Sequence, residues 1–261
     1  MSDDFLWRHL EELPAFRALL RSVEARFYQD LLPLTEPVLD VGCGDGHFAS
    51  IAFPQQLTAG MDPAPGVLRE AYQRGSYRQL AQAFGAVLPY ASDTFATVIS
   101  NSVLEHIPDL NPVLTEIARV LRPGGRFIFC VPSEQFSRLL LFTQLFRRLH
   151  LEGLACGYER TFNRISRHHH CDPPAVWQDR LTAAGLRPEQ AFYYFSEKAH
   201  HALDVGHYFG APSLVAKKLW GRWILARQHW NLALTERWLR PLYEEPPPDV
   251  GAYLFFVAEK V

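Results

Sequence analysis

Val38-Leu39-Asp40-Val41-Gly42-Cys43-Gly44-Asp45-Gly46 is the stretch that decides the fold. An apolar run of strand character ends in glycines at alternate positions, and a short helix begins at Phe48. Such glycines let the backbone turn sharply and approach a ligand where a Cβ would otherwise stand. The helix start behind them offers free N–H groups. The spacing is GxGxG, not the GxGxxG of dinucleotide phosphate sites. Asp40 would repel a pyrophosphate at that distance, but it suits a ligand that carries an ammonium group. A second short strand, Leu57–Met61, ends at Asp62, about 20 residues beyond the loop, where a carboxylate can hold both hydroxyls of a ribose.

Working outward, strands and helices alternate. Residues 5–32 have helical periodicity and are broken by Pro14. Ala64–Arg74 reads as a helix, Tyr77–Ala83 as a weaker strand, Phe95–Ser100 as a fourth strand and Asn111–Leu121 as an amphipathic helix. Pro123-Gly124-Gly125 is expected to stop that helix before a fifth strand, Arg126–Val131. Beyond Pro132 the pattern predicts one apolar helix, Phe136–Leu149, then a helix at Pro173–Ala184 ended by Gly185, an aromatic strand at Arg187–Glu197 and a last strand at Ala252–Ala258. Alternation with short connections implies a parallel sheet covered on both faces. The expected division is an N-terminal helical cap (1–35), a core (36–132), a first cap insertion (133–172), core again (173–197), a second insertion (198–248) and a final core strand (249–261). The second insertion holds four of the six tryptophans: Trp220, Trp223, Trp230 and Trp238.

The chain has 261 residues, and its formal charge of −2 gives no basic excess for tracking phosphates, so nucleic acid is not an expected partner. Cys43, Cys130, Cys156 and Cys171 lack CxxC spacing and fit a reducing compartment. The acidic start, Met1-Ser2-Asp3-Asp4, has no apolar signal core, and no apolar stretch is long enough to span a bilayer. A cytoplasmic location is the expectation. Lys/Arg beside Leu139–Phe146 and Lys217–Leu225 suits a lid over an apolar substrate, a peripheral membrane contact, or a cap packed on itself.

Several blocks in register resemble the class I S-adenosylmethionine-dependent methyltransferases, in the small-molecule branch typified by ubiquinone and menaquinone biosynthesis. They are the glycine stretch, Leu88-Pro89-Tyr90, Ser102–Ile107 and Glu116–Gly125, all within residues 36–132. The resemblance implies a seven-stranded, mostly parallel Rossmann-like sheet with helices on both faces, a last strand running antiparallel, and S-adenosylmethionine as cofactor. It implies cofactor contacts from Asp40, Gly42, Cys43, Gly44, Gly46, Asp62, Pro63, Asn101 and Ser102. Where the family often has an acidic residue for the adenine amino group this chain has Phe84, so adenine recognition is expected to rest on stacking and backbone groups. Where members usually have Asp after the residue matching Phe95, this chain has Ala96.

The expected reaction is methyl transfer to oxygen or carbon of a small molecule, with a bulky or lipid-like acceptor favoured by the insertions. Such a displacement needs alignment and exclusion of water, with a base only for a nucleophile of high pKa. His106, after the fourth strand, is the candidate base and substrate contact. In Arg167-His168-His169-His170-Cys171-Asp172 alternate side chains of an extended segment share a face, which pairs His168 with His170 as substrate contacts. Zinc would need further ligands from elsewhere, so no metal is assigned. Two rival functions stay open: a nucleotide-dependent oxidoreductase, and a non-catalytic binding or membrane-associated module on the same fold. The oligomeric state is left open.

Overall fold

The computed structural model describes residues 4–261, apart from the side chains of residues 211 and 212; the start of the acidic segment, Met1–Asp3, lies outside the described residues. The chain divides into two compact units.

The sheet unit comprises Leu31–Glu134, Ser166–Tyr193 and Tyr253–Val261. Its strands are β1 (Val38–Val41), β2 (Leu57–Asp62), β3 (Tyr77–Gln82), β4 (Phe95–Asn101), β5 (Leu121–Pro132), β6 (Leu186–Tyr194) and β7 (Tyr253–Lys260). They form one seven-stranded sheet in the order β3-β2-β1-β4-β5-β7-β6. The sheet is mixed rather than mostly parallel: β1 runs parallel to β2 and β4, β2 to β3 and β4 to β5, whereas β5 and β7 run antiparallel.

Both faces of the centre are buried. Phe127 and Phe129 alternate along β5 with Ile128 and Cys130, and all four are sealed from solvent. Phe129 stacks on Phe256 of β7 at 4.9 Å and meets Trp177. Burying one such ring contributes about 1.5–3 kcal/mol. The covering helices are α3 (His47–Ala52), α4 (Pro65–Arg74), α5 (Asn111–Val120) and α8 (Pro174–Ala183). Contrary to the expectation, Pro123-Gly124-Gly125 does not separate helix from strand. Helix α5 ends at Val120 with Leu121 already extended, and the Pro-Gly-Gly lies inside β5. There the register slips between the pairs Phe95·Leu121 and Thr97·Arg126, because Pro lacks a ladder donor and Gly124 takes a left-handed φ of 73°.

The helical unit runs to Asp30 and resumes at Gln135–Ile165 and Tyr194–Ala252. Its helices are α1 (Phe5–Leu10), α2 (Ala15–Gln29), α6 (Leu141–Arg148), α7 (Glu152–Ser166), α9 (Glu197–Phe209), α10 (Ala211–Trp220) and α11 (His229–Tyr243). Pro14 is the N-cap of α2, so the break falls where the sequence placed it. The single helix expected at Phe136–Leu149 is shorter, and α7 after it was not foreseen. The aromatic strand expected to reach Glu197 stops at Tyr194, because Ser196 caps α9 by accepting from the Ala199 N–H. An apolar cavity of about 390 Å³ lies within this unit, among Leu10, Leu13, Phe209, Ile224, Leu232 and Trp238. Among the described residues no helix is long and apolar enough to cross a membrane.

Candidate functional site

The glycine loop leaves β1 at the carboxyl edge of the parallel strands, and the structure sorts its glycines by what stands next to them. The Gly42 and Cys43 N–H groups both donate to Met61 O, at 2.8 and 2.9 Å. A Cβ on Gly42 would lie 2.5 Å from Val103 Cγ1. Gly42 is therefore required by packing against the segment after β4. Gly46, the left-handed N-cap of α3, is crowded by Ala71 and Tyr77. Gly44 differs: its φ is 54°, and nothing lies within 4 Å of where its Cβ would be. That is the one point of the three where open space meets the bare backbone.

Asp62 closes the loop from the end of β2. It accepts from Gly44 N–H at 3.2 Å through one oxygen and from Ala64 N–H at 2.9 Å through the other. A carboxylate has about four acceptor sites, so both oxygens keep capacity for hydroxyl donors. The next turn sits beside it, since Ala83 N–H donates to Asp62 O at 3.4 Å and Gln82 Nε2 donates to Pro63 O at 3.1 Å. Phe84, the following residue, is 73% exposed.

Asp40 is 4% exposed and accepts from the Tyr77 hydroxyl at 2.6 Å. Burial, together with Asp40, holds the Tyr77 phenol far above its usual range. Burial and the neighbouring carboxylates of Asp40, Asp62 and Asp45 likewise push the Cys43 thiol up, so it stays protonated. The field of three carboxylates thus acts on the loop, with Asp40 behind it. Asn101 ends β4, and Ser102 follows in a left-handed conformation, its N–H on Cys130 O at 3.1 Å. That turn sends Val103 against Gly42.

Leu88-Pro89-Tyr90 is clasped by two residues of α5. Glu116 accepts from the Leu88 N–H at 2.8 Å, and Arg119 donates to Tyr90 O at 2.8 Å and to Leu88 O at 3.1 Å. The two side chains also pair with each other at 2.6 Å. The hydrogen bond from Arg119 holds the Glu116 carboxyl below its usual range.

The histidines do not group as the sequence suggested. Residues 167–172 are bent rather than extended, so His168 and His170 diverge. His170 Nε2 lies 3.0 Å from Ile107 O and its Nδ1 3.4 Å from Asp172, so it staples the loop after β4. His168 instead stands with His106, ring centroids 5.4 Å apart, and with Glu105. Glu105 is 2% exposed and His106 43%. Burial, with His106 beside it, pushes the His168 imidazole down to about 3. Cys171 Sγ is 3.8 Å from His168 Nδ1, and burial with Glu105 and Asp172 nearby pushes that thiol up to about 12. Glu105 was not among the residues expected at the site, although it lies within Ser102–Ile107. Nor was Tyr77, for which no local pattern existed.

The family described as "Methyltransferase domain" matches residues 39–129, from β1 to β5. This stretch is similar to a methyltransferase domain. The chain is 34% identical over 115 residues to a demethylmenaquinone methyltransferase of Symbiobacterium thermophilum, covering 40% of this chain and 46% of that protein. It is 37% identical over 106 residues to a malonyl-[acyl-carrier protein] O-methyltransferase of Methylococcus capsulatus, covering 37% of this chain and 38% of that one. The chain thus matches less than half the length of either relative. An S-adenosylmethionine-dependent methyltransferase of Thermotoga maritima superposes with a TM-score of 0.57 at 17% identity, covering 95% of this chain and 91% of that chain. The two chains therefore share a fold.

Proposed function

We propose that this chain binds S-adenosylmethionine and transfers its methyl group to oxygen or carbon of a small molecule. The observation that carries this is the loop at Gly44, where bare backbone faces open space within 3.2 Å of a carboxylate held by two backbone amides. The same open space and donor set fit the cofactor. Asp62 would take the ribose hydroxyls. Pro63 and the exposed face of Phe84 would take the adenine. Gly44 would give the close approach, with Cys43 and Gly46 shaping the loop and Asn101 and Ser102 lining its β4 side. Asp40 would favour the cofactor's ammonium by charge from behind the loop. When bound, the cofactor supplies an electrophilic methyl on a sulfonium.

His106 would accept the proton of a hydroxyl acceptor, with Glu105 and His168 beside it and His170 steadying the loop. The exposed Phe209, Trp220 and Trp230 of the second insertion would favour a bulky or lipid-like acceptor. A cytoplasmic location, with peripheral membrane contact through the same exposed side chains, belongs to this proposal. Calorimetric titration with S-adenosylmethionine, S-adenosylhomocysteine and nicotinamide dinucleotides is the direct test. Tighter binding of a nicotinamide dinucleotide would overturn the proposal. Production of S-adenosylhomocysteine with a quinol or fatty-acyl acceptor would extend it to the reaction.

A further inference from the structure

We propose that Glu105, His106 and His168 bind one divalent transition-metal ion of the zinc type. One ligand atom from each lies within 4.8 Å of the other two. A tetrahedral zinc with ligands at about 2.0–2.2 Å sets them roughly 3.4 Å apart, so the cluster needs only a modest closure. The 43% exposed ring of His106 has room to make it.

The tautomers point the same way. A ligating imidazole normally has its other ring nitrogen tied to an outer partner, which fixes the lone pair toward the ion. His106 Nδ1 lies 3.2 Å from Arg167 O and can donate to it, leaving Nε2 as the acceptor; Nε2 is 3.8 Å from Glu105 Oε1. His168 Nδ1 lies 3.8 Å from Cys171 Sγ, and with Nδ1–H donating to the sulfur its Nε2 carries the lone pair for the ion. The two segments are also locked together by backbone, since His169 N–H donates to Glu105 O at 2.7 Å. Residues more than 60 positions apart in the chain are thereby set in register before any ion arrives.

Glu105 is buried, and its carboxylate would counter the charge of a dication placed between it and the two imidazoles. Two nitrogens and one carboxylate oxygen select zinc, cobalt or ferrous iron over magnesium or calcium, which prefer all-oxygen sites. Three protein ligands leave a position for water or an acceptor oxygen. With the ion bound, the His106 lone pair is engaged, so His106 would no longer serve as the proton acceptor.

The inference uses none of the residues assigned to the methyl donor, so it stands or falls separately. The full chain, stripped with a chelator and free of S-adenosylmethionine, is titrated with Zn²⁺ by calorimetry and with Co²⁺ by visible absorption. One ion per chain is expected, with a Kd of about 1 μM or tighter. His106→Ala, Glu105→Gln and His168→Gln should each weaken binding more than about 100-fold, while the exposed His150→Ala should not. Circular dichroism reports whether each variant folds. If the buried-site variants unfold, His106→Ala alone decides. Zinc binding weaker than about 1 mM, or unchanged in His106→Ala, would overturn the proposal.

Discussion

The two units are held together by different means. The sheet unit is specified by backbone: strand ladders in parallel and antiparallel register, glycines at turns, and rows of apolar side chains that alternate between two buried faces. The helical unit is specified by polar side chains that meet across long sequence separations. Tyr158 and the Phe142 N–H both donate to the buried Asp204. Tyr194 donates to the buried Glu24, which also pairs with Arg21 at 2.8 Å. His200 Nε2 donates to Phe136 O at 2.8 Å, and Arg26 donates to the carbonyls of Tyr243 and Glu245. A backbone-specified unit tolerates changes of side chain at its surface but not of backbone conformation. A unit built on buried polar pairs has the opposite weakness, because removing one partner strands the other.

The largest expected effect is in the sheet unit. Gly42→Ala places a Cβ 2.5 Å from Val103 at a φ of 80°. Strain of about 1–2 kcal/mol and overpacking of about 1–3 kcal/mol predict a loss of several kcal/mol in a denaturant melt. Gly44→Ala meets no neighbour, so its melt should fall by only about 1–2 kcal/mol, while affinity for S-adenosylmethionine falls at least about tenfold. Equal losses of stability in the two variants would show that both glycines serve the fold alone.

Next comes the helical unit. Asp204→Ala deprives Tyr158 and the Phe142 N–H of their acceptor and should cost about 1–3 kcal/mol. Asp204→Asn keeps one acceptor oxygen and should cost less than about 1 kcal/mol. If both variants melt like the native chain, the description of this unit as side-chain specified fails.

This contrast also explains what could be read beforehand. The glycine stretch, Asp62 and the order of strands follow from periodicity and spacing, which are local properties of a chain. Tyr77 under Asp40, Val103 against Gly42 and Glu105 beside His168 are meetings between segments distant in sequence, and no single segment carries a sign of them. Phe84 illustrates the boundary. Its departure from the family pattern was visible, and only the turn at Ala83 brings it beside Asp62. The His168–His170 pairing failed for the same reason. It assumed an extended strand, whereas Arg167 is left-handed and the segment is tied to Glu105 and Ile107. In the helical unit, helix periodicity was legible in part. Asp204 and Glu24 were not, because a lone acid on an amphipathic helix reads as solvated surface.

The smallest expected effects give the sharpest form of the comparison, because they differ in sign. Arg119 holds the Glu116 carboxyl below its usual range. Its stabilising contribution is therefore fully present above an unfolded pKa of about 4.3 and is lost as pH falls through the lower folded value. Burial raises the Asp204 carboxyl, an effect opposed by bonds from Tyr158 and Phe142 and by His207. Its contribution is greatest below an unfolded pKa of about 3.9 and declines as pH rises through the folded value. Burial holds His201 and His207, also on α9, below the usual imidazole range, so they too affect stability on the acid side. Whole-protein melts would therefore mix these terms, and each carboxylate is isolated only by comparison with its own amide. Between about pH 3 and pH 6, the native chain should gain on Glu116→Gln as pH rises and lose ground to Asp204→Asn, each by about 1 kcal/mol or less. Slopes of the same sign would mean that Asp204 is held by its donors as firmly as Glu116 is held by Arg119, and the distinction between the two units would then narrow to the glycine loop.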